Sequence, residues 1–378
     1  MNDPAEPAAP DAPASPGAAP LGPEDVRFEL RSGPGCVLLA ALLLVAAAVA
    51  WRVSAMLQAP ARAEPEPALE PCLVERETLV RAASRHDIPR LEPIHTLSVA
   101  EAQQAKIGRR GKFLVHGDLV LGVVVKDEAC AYPLRFLQWH EAVWHELGGV
   151  PLLVTWSPLS GSAAVFDRRP RGPEGQEPRP RALVASGWLS NSGQLLVDEG
   201  APGESLWSQL QARAVTGPAA AAGLVLDRIP AEVVRWEDWS ARHPQTRVMT
   251  FDPPREKLYQ REPYRNYEGS EEPRFPALPL PTTGPRLKAP VLAVQAGGVW
   301  RVYPIEWLER LADPSGACAL EQAGVRLRFQ VWRNAPELPP VARVEADAPL
   351  VALRCYWFAW HAARPDDATL GLEPPRPE

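Results

Sequence analysis

Beyond residue 72 the chain is dominated by short apolar runs broken by glycine, proline and charged turns, the pattern of many short β-strands. The clearest is residues 120–137, VLGVVVKDEACAYPLRFL. Two apolar stretches flank a charged turn at Lys126 to Glu128, and Pro133 then opens a helix, where its missing N–H costs nothing. The same pattern returns at 291–308 as VLAVQAGGVWRVYPIEWL, with a turn at Gly297 and Gly298. Laid over each other without a gap, the two share Val120, Leu121, Val123, Tyr132, Pro133 and Leu137 at identical residues. A second landmark also recurs. Trp236, Trp239, Ala241 and Pro244 match Trp357, Trp360, Ala362 and Pro365. Tryptophans three apart share one helical face, and the proline stops the helix. Hairpin then tryptophan helix, twice over, predicts a tandem pseudo-repeat.

Between these landmarks the first half carries about 50 more residues than the second, so functional material is expected there. The pattern predicts a helix over residues 134–147 ended by Gly148 and Gly149. It predicts strands over 150–156 and 162–167 around a turn at 157–161. A hairpin is expected over 182–188 and 194–198 around a Ser-Asn-Ser-Gly turn, and a short helix over 205–209. The fold class expected is α+β and β-rich, with two pseudo-repeated halves, a larger insertion in the first, and one preceding transmembrane helix.

That helix is read from the apolar run CVLLAALLLVAAAVAW. Sixteen residues rise only about 24 Å, short of a roughly 30 Å hydrocarbon core, so Arg52 must snorkel and residues 53–57 must extend the span. A small-x-small site at residues 61–63 keeps a cleaved signal peptide open as the alternative. The segmentation that follows is a Pro/Ala-rich leader (1–35), an anchor that would hold the chain in the membrane (36–57) and a Pro-rich stalk (58–71). A first half (72–251), a Pro-rich linker (252–290), a second half (291–370) and a tail (371–378) complete it. Orientation is not set by charge, since Arg27 and Arg31 precede the run and Arg52 and Arg62 follow it. The C-terminal bulk is expected outside the cytoplasm, in the periplasm.

Composition adds an exclusion. A net charge of −6, with no basic stretch interleaved with aromatics, argues against a nucleic-acid partner. Beyond the anchor lie Cys72, Cys130, Cys318 and Cys355. An even number permits two disulfides in an oxidising compartment, and their spacings match no zinc pattern.

The runs AYPLRFLQWHEAV, GGVPLLVTWSPLSGSAAVFDR, VASG and ESLWSQ followed by TGP resemble domain-of-unknown-function family 3179, whose members include predicted selenoproteins. The resemblance implies an exported or tethered protein with a redox site, and brings no substrate or cofactor. The family reads Thr-Tyr-Cys-Pro-Leu-Cys-Gly where this chain has Ser157 and Ser160. A Cys-x-x-Cys pair works because one thiol ionises near neutral pH and the other resolves the mixed disulfide. A serine hydroxyl does neither, so thiol or selenol redox is excluded at this turn. Nor does the turn carry a Gly-x-Ser-x-Gly elbow. Trp144 and His145 replace the family's Asn-Asp. His140 and Glu141 match its His-Glu, and Asp198, Glu204, Ser205, Trp207 and Gln209 also match, as binding or structural groups. His140 and His145 are a weak metal pair, since five residues on a regular helix place them about 140° apart. Three functions stay open: a non-catalytic binding or scaffolding domain, an enzyme or cofactor binder using His140 and Glu141, and a disulfide-stapled spacer.

Overall fold

The computed structural model describes residues 41–49, 51–52, 64–108, 111–173, 178–332 and 340–373. The chain divides into two units, Met1–Ala63 and Glu64–Glu378. In the first, residues 41–49 and 51–52 are helical, labelled α1. Among the described residues no helix is long and apolar enough to cross a membrane. This overturns the transmembrane helix expected over 36–57. Residues 36–40, 50 and 53–57 of that segment lie outside the described residues, as do the leader, residues 58–63 of the stalk and the last five residues of the tail.

The second unit opens with β1 (Leu79–Arg81), β2 (Thr96–Ser98) and α2 (Val99–Gln104), which starts on a capping box between Ser98 and Glu101. A small ribbon, β3 (Lys106–Ile107) and β4 (Gly111–Lys112), leads into the predicted hairpin, β5 (Leu119–Val125) and β6 (Glu128–Pro133), and the helix α3 (Leu134–His140). A meander follows: β7 (Ala142–Leu147), β8 (Val150–Ser157) and β9 (Ser162–Asp167). The extra material of the first half is a sheet of its own. It holds β10 (Leu183–Ser190), β11 (Gly193–Asp198), β12 (Leu206–Ser208) and β13 (Arg213–Ala214), with β1 at its edge and α4 (Gly217–Ala221) after it. The first half closes with β14 (Arg228–Ile229), β15 (Ala231–Arg235), the tryptophan helix α5 (Trp236–Arg242) and β16 (Arg247–Met249). Before β17 begins at Pro290, residues 252–289 contain only a 3₁₀ turn and the short helix α6 (Arg265–Glu268), yet bury Tyr259, Tyr267 and Ala277.

The second half repeats the plan. β17 (Pro290–Ala296), β18 (Val299–Pro304) and α7 (Ile305–Leu311) precede a meander of β19 (Ala317–Gln322), β20 (Val325–Trp332) and β21 (Val341–Ala346), then β22 (Val351–Tyr356) and α8 (Trp357–Ala363). The pairing repeats as well: β15 runs antiparallel to β5, as β22 does to β17. The two hairpin tyrosines each reach the first strand of their own meander, Tyr132 to His145 Nδ1 at 2.6 Å and Tyr303 to Gln322 Oε1 at 2.8 Å. Trp236, Trp239, Trp357 and Trp360 are buried. Gly122 is required opposite Trp239, because a Cβ there would stand 2.3 Å from the indole. One core gathers Leu153, Phe166 and Trp207 of the first half with Trp300, Trp357 and Trp360 of the second, so the halves share apolar interior within one unit.

Two local expectations fail. The helix predicted over 134–147 stops at His140, and residues 142–147 pair as β7 against β8. Val143, His145 and Leu147 alternate with Trp144 and Glu146, and a partner strand turns that ambiguous run into sheet. Likewise residues 206–208 are strand rather than helix, because β11 offers a free edge and takes them up. The 183–198 hairpin forms as predicted, with Asn191 and Ser192 both at positive φ in its turn.

Candidate functional site

The turn between β8 and β9 is built by residues 157–161, and its serines are buried: Ser157 at 2% exposure, Ser160 and Ser162 at 0%. They form one hydroxyl chain. Ser160 Oγ donates to Ser157 Oγ at 2.8 Å and stands 2.8 Å from Ser162 Oγ. Ser162 Oγ donates to Gln209 Oε1. Gln209 Nε2 donates onward to Thr155 Oγ1 at 2.8 Å and to the Ser162 carbonyl at 3.2 Å. Thus Gln209, on the loop after β12, ties the extra sheet to the turn.

The turn is roofed from two directions. From residues 252–290, the Tyr267 hydroxyl donates to the Leu159 carbonyl at 2.6 Å. From the second half, the Tyr356 amide donates to the Ser160 carbonyl at 2.7 Å, and Arg354 Nη1 to the Gly161 carbonyl at 2.9 Å. Gly161 sits at positive φ, and a Cβ there would lie 2.9 Å from the Tyr356 ring. Lys288 Nζ lies 3.6 Å from the centroid of the Tyr267 ring and donates to the Ser270 carbonyl at 2.9 Å. Burial draws its pKa down to about 8.

His140 and Glu141 part company. His140 is 1% exposed and bonded on both nitrogens, Nδ1 to the Pro89 carbonyl at 2.5 Å and Nε2 to the Tyr259 hydroxyl at 2.8 Å. Burial lowers its pKa, so the neutral ring is a packed hydrogen-bonding group. Glu141 ends α3 with φ 57 and ψ −30, a sparsely populated conformation for a non-glycine residue. It is held there because its carbonyl accepts from the Trp156 amide at 2.9 Å. Its half-buried carboxyl accepts from Gln194 Nε2 at 3.2 Å and, loosely, from the Tyr264 hydroxyl at 3.4 Å. Burial outweighs both bonds and pushes its pKa up to about 7.

The other predicted residues fall into two places. Glu204, Ser205 and Asp198 meet beyond the far end of β11. Glu204 pairs with the buried Arg85 at 2.6 Å and accepts from the Gly200 amide at 2.9 Å. Burial opposes the Glu204 charge, but these partners outweigh it and hold its pKa down. Asp198 accepts from the Ser205 amide and from Arg181 at 3.1 Å, while burial raises its pKa. Ser205 Oγ accepts from the Ala219 amide at 3.0 Å. Trp207 is wholly buried between these places, in the shared core. His145, half-buried on β7, has its Nδ1 2.6 Å from the Tyr132 hydroxyl, whereas the ring nitrogens of His140 are engaged by Pro89 and Tyr259. Among the described residues no three metal-ligating side chains gather as a site would need.

Cys72, Cys130, Cys318 and Cys355 are free thiols, and no bridge joins the halves. Burial pushes both Cys130 and Cys355 up to about 12, which leaves them unreactive.

Residues 85–328 match the family described as "Protein of unknown function (DUF3179)". The chain belongs to the DUF3179 family. Comparison with curated proteins and with solved structures gives no match. The DUF3179 match runs through the serine turn, Glu141 and the whole of residues 252–290. That last stretch holds what sequence reasoning missed: Tyr259 on His140, Tyr264 on Glu141 and Tyr267 on the turn. Three tyrosines within a proline- and charge-rich segment were the available signal, since a solvated linker has no use for them. Arg354 and Tyr356 gave no such signal, because only the docking of the second half brings them to the turn.

Proposed function

We propose that this DUF3179 member is a non-catalytic binding domain in which the motif turn has become a structural joint. The observation that carries the reading is the closure of the turn. The Ser160 and Ser162 hydroxyls donate to Ser157 Oγ and to Gln209, and the buried turn lies beneath Tyr267 and Tyr356. A nucleophile must meet its substrate and a base at hydrogen-bond distance. Among the described residues no histidine, lysine or carboxylate bonds to the serines, and His140 is already bonded on both ring nitrogens. The joint couples the first meander, the extra sheet and the second half, which suits a rigid platform for a partner.

The test is the Ser157→Cys/Ser160→Cys variant, reduced and treated in its native state with a maleimide, with added mass counted against the parent chain. A closed turn leaves both new thiols unlabelled until denaturant is added. Rapid native labelling of either would open the turn to substrate and end this reading.

A second reading has one observation in its favour. Glu141 combines a strained backbone with a carboxyl drawn up to about 7, the range of a general acid or base at neutral pH. Native mass spectrometry of the full chain separates the two readings. A stoichiometric bound molecule lost in Glu141→Gln would favour the second, and a bare polypeptide mass in both would favour the first.

A further inference from the structure

Residues 64–70, at the start of the second unit, have no regular secondary structure, yet Glu64 is held by four donors. Its carboxylate accepts from the Arg85 amide at 3.0 Å, from Arg85 Nε at 2.8 Å, from Ser84 Oγ at 2.8 Å and from Arg81 Nη2. The Glu64 side chain is 9% exposed. Burial opposes its charge, but the donors outweigh that cost and hold its pKa down at about 2, so it is ionised throughout the neutral range.

The donors are set in place by the body and not by Glu64. Arg85 is buried, and its Nη2 donates to Glu204 Oε2 at 2.6 Å. Glu204 is fixed in turn by the Gly200 amide at 2.9 Å. Ser84 and Asp87 close a capping box that sets residues 84–87. Arg81 belongs to β1, which pairs with β10. The segment before them leans on the same groups. Glu66 pairs with Arg81, the Pro65 carbonyl accepts from Arg85 Nη2 at 2.8 Å, and the Ala68 amide donates to the Glu204 carbonyl at 2.7 Å.

We propose that Arg81, Ser84 and Arg85 form a carboxylate-binding site that Glu64 fills as a tethered ligand, which makes residues 64–68 a clasp that opens while the body stays folded. Two guanidinium groups, a hydroxyl and an amide converging on one pair of oxygens suit a carboxylate. Donors positioned in advance lose little freedom on capture, and the tether presents Glu64 at high effective concentration. With the clasp open, the same site takes a carboxylate from solution. The inference holds whether or not the serine turn is inert, since the two share no residue.

The full chain carrying Glu64→Ala, compared with the parent in acetate and in chloride at equal ionic strength, tests it. The Ala68 amide, bonded to Glu204 in the closed clasp, is expected to exchange hydrogen about tenfold or more faster in the variant. Acetate is expected to raise the variant's unfolding midpoint above its value in chloride and to leave the parent's unchanged, while Ala68 stays unprotected. An Ala68 exchange rate equal to the parent's would overturn the proposal. So would an acetate effect that is absent from the variant or equal in both proteins. If Glu64→Ala does not fold, Glu64→Gln keeps the side chain's shape and removes its charge, and the Ala68 exchange rate alone decides.

Discussion

Helices α3 and α7 begin alike and end differently. Both follow a Tyr-Pro at the close of a hairpin, with the proline at φ −63 in one and −61 in the other. Helix α7 leaves through Ala312 in an ordinary extended conformation. Helix α3 leaves through Glu141 at positive φ and turns at once into β7. The meanders that follow differ in the same sense. In β20 the sequence VRLRFQVW alternates and so does its burial, one face on the core and one toward water. In β8 the sequence VPLLVTWS is apolar almost throughout and is buried along Leu152 to Ser157, because the extra sheet covers its second face. The second half thus shows the repeat in its plain form. The first shows what was added: a covering sheet, a strained exit and a buried polar joint. Strain and buried polar groups persist only where surrounding structure over-determines them, and here that structure is the added sheet and the stretch 252–290.

The largest expected effect tests what the halves share. Trp239→Ala and Trp360→Ala each remove a wholly buried indole of a repeat helix, and each is expected to cost about 3–5 kcal/mol in denaturant unfolding. A loss below about 1 kcal/mol in one alone would break the packing equivalence of the halves.

Next comes the strained exit, through pH. The Glu141 pKa is raised from an ordinary 4.5 to about 7 in the folded chain, so between those values the native state holds a proton that the unfolded state has released. Its contribution is fully present below about 4.5 and is lost as pH rises through about 7. Glu141→Gln should flatten that fall, worth on the order of 3 kcal/mol, when unfolding free energies at both ends of the window are compared. An unchanged pH profile would remove Glu141 from the account.

A smaller effect compares two buried glutamines. Gln209 binds Ser162 and Thr155 in the first half, and Gln322 binds Tyr303 and the Val299 carbonyl in the second. Replacing either with alanine orphans buried groups and is expected to cost about 1–3 kcal/mol by denaturant midpoint. Only Gln209→Ala should also speed native labelling of the Ser157→Cys/Ser160→Cys turn. The smallest effect lies on the open face of the second meander. Arg328→Ala breaks an exposed pair with Asp347 and should leave the unfolding curve unchanged, as exposed ion pairs commonly do.

Much of the scaffold was legible in the residues. The hairpins, both tryptophan helices and the Asn191–Ser192 turn follow from apolar periodicity, proline placement and turn chemistry, all of which act within a few residues. The gathering of Ser157, Ser160 and Gln209 was legible only as a set of matching positions, with no hint that they touch. Residues 142–147 and 206–208 were misread as helix because short apolar runs fit either period, and a neighbouring strand edge decided between them. The apolar run at 36–51 predicted a membrane span by composition, but among the described residues no helix is long and apolar enough to cross a membrane.

By itself the sequence determined the repeat, the strand-rich class, the family and the presence of serines rather than thiols at the turn, because each rests on residue identity or local spacing. The tertiary structure alone decided that His140 is locked by Pro89 and Tyr259, that Glu141 is strained and drawn toward neutral pKa, and that Arg354 of the second half meets the Gly161 carbonyl of the turn. Those properties come from desolvation and from partners more than fifty residues away in the chain, and no local pattern encodes them.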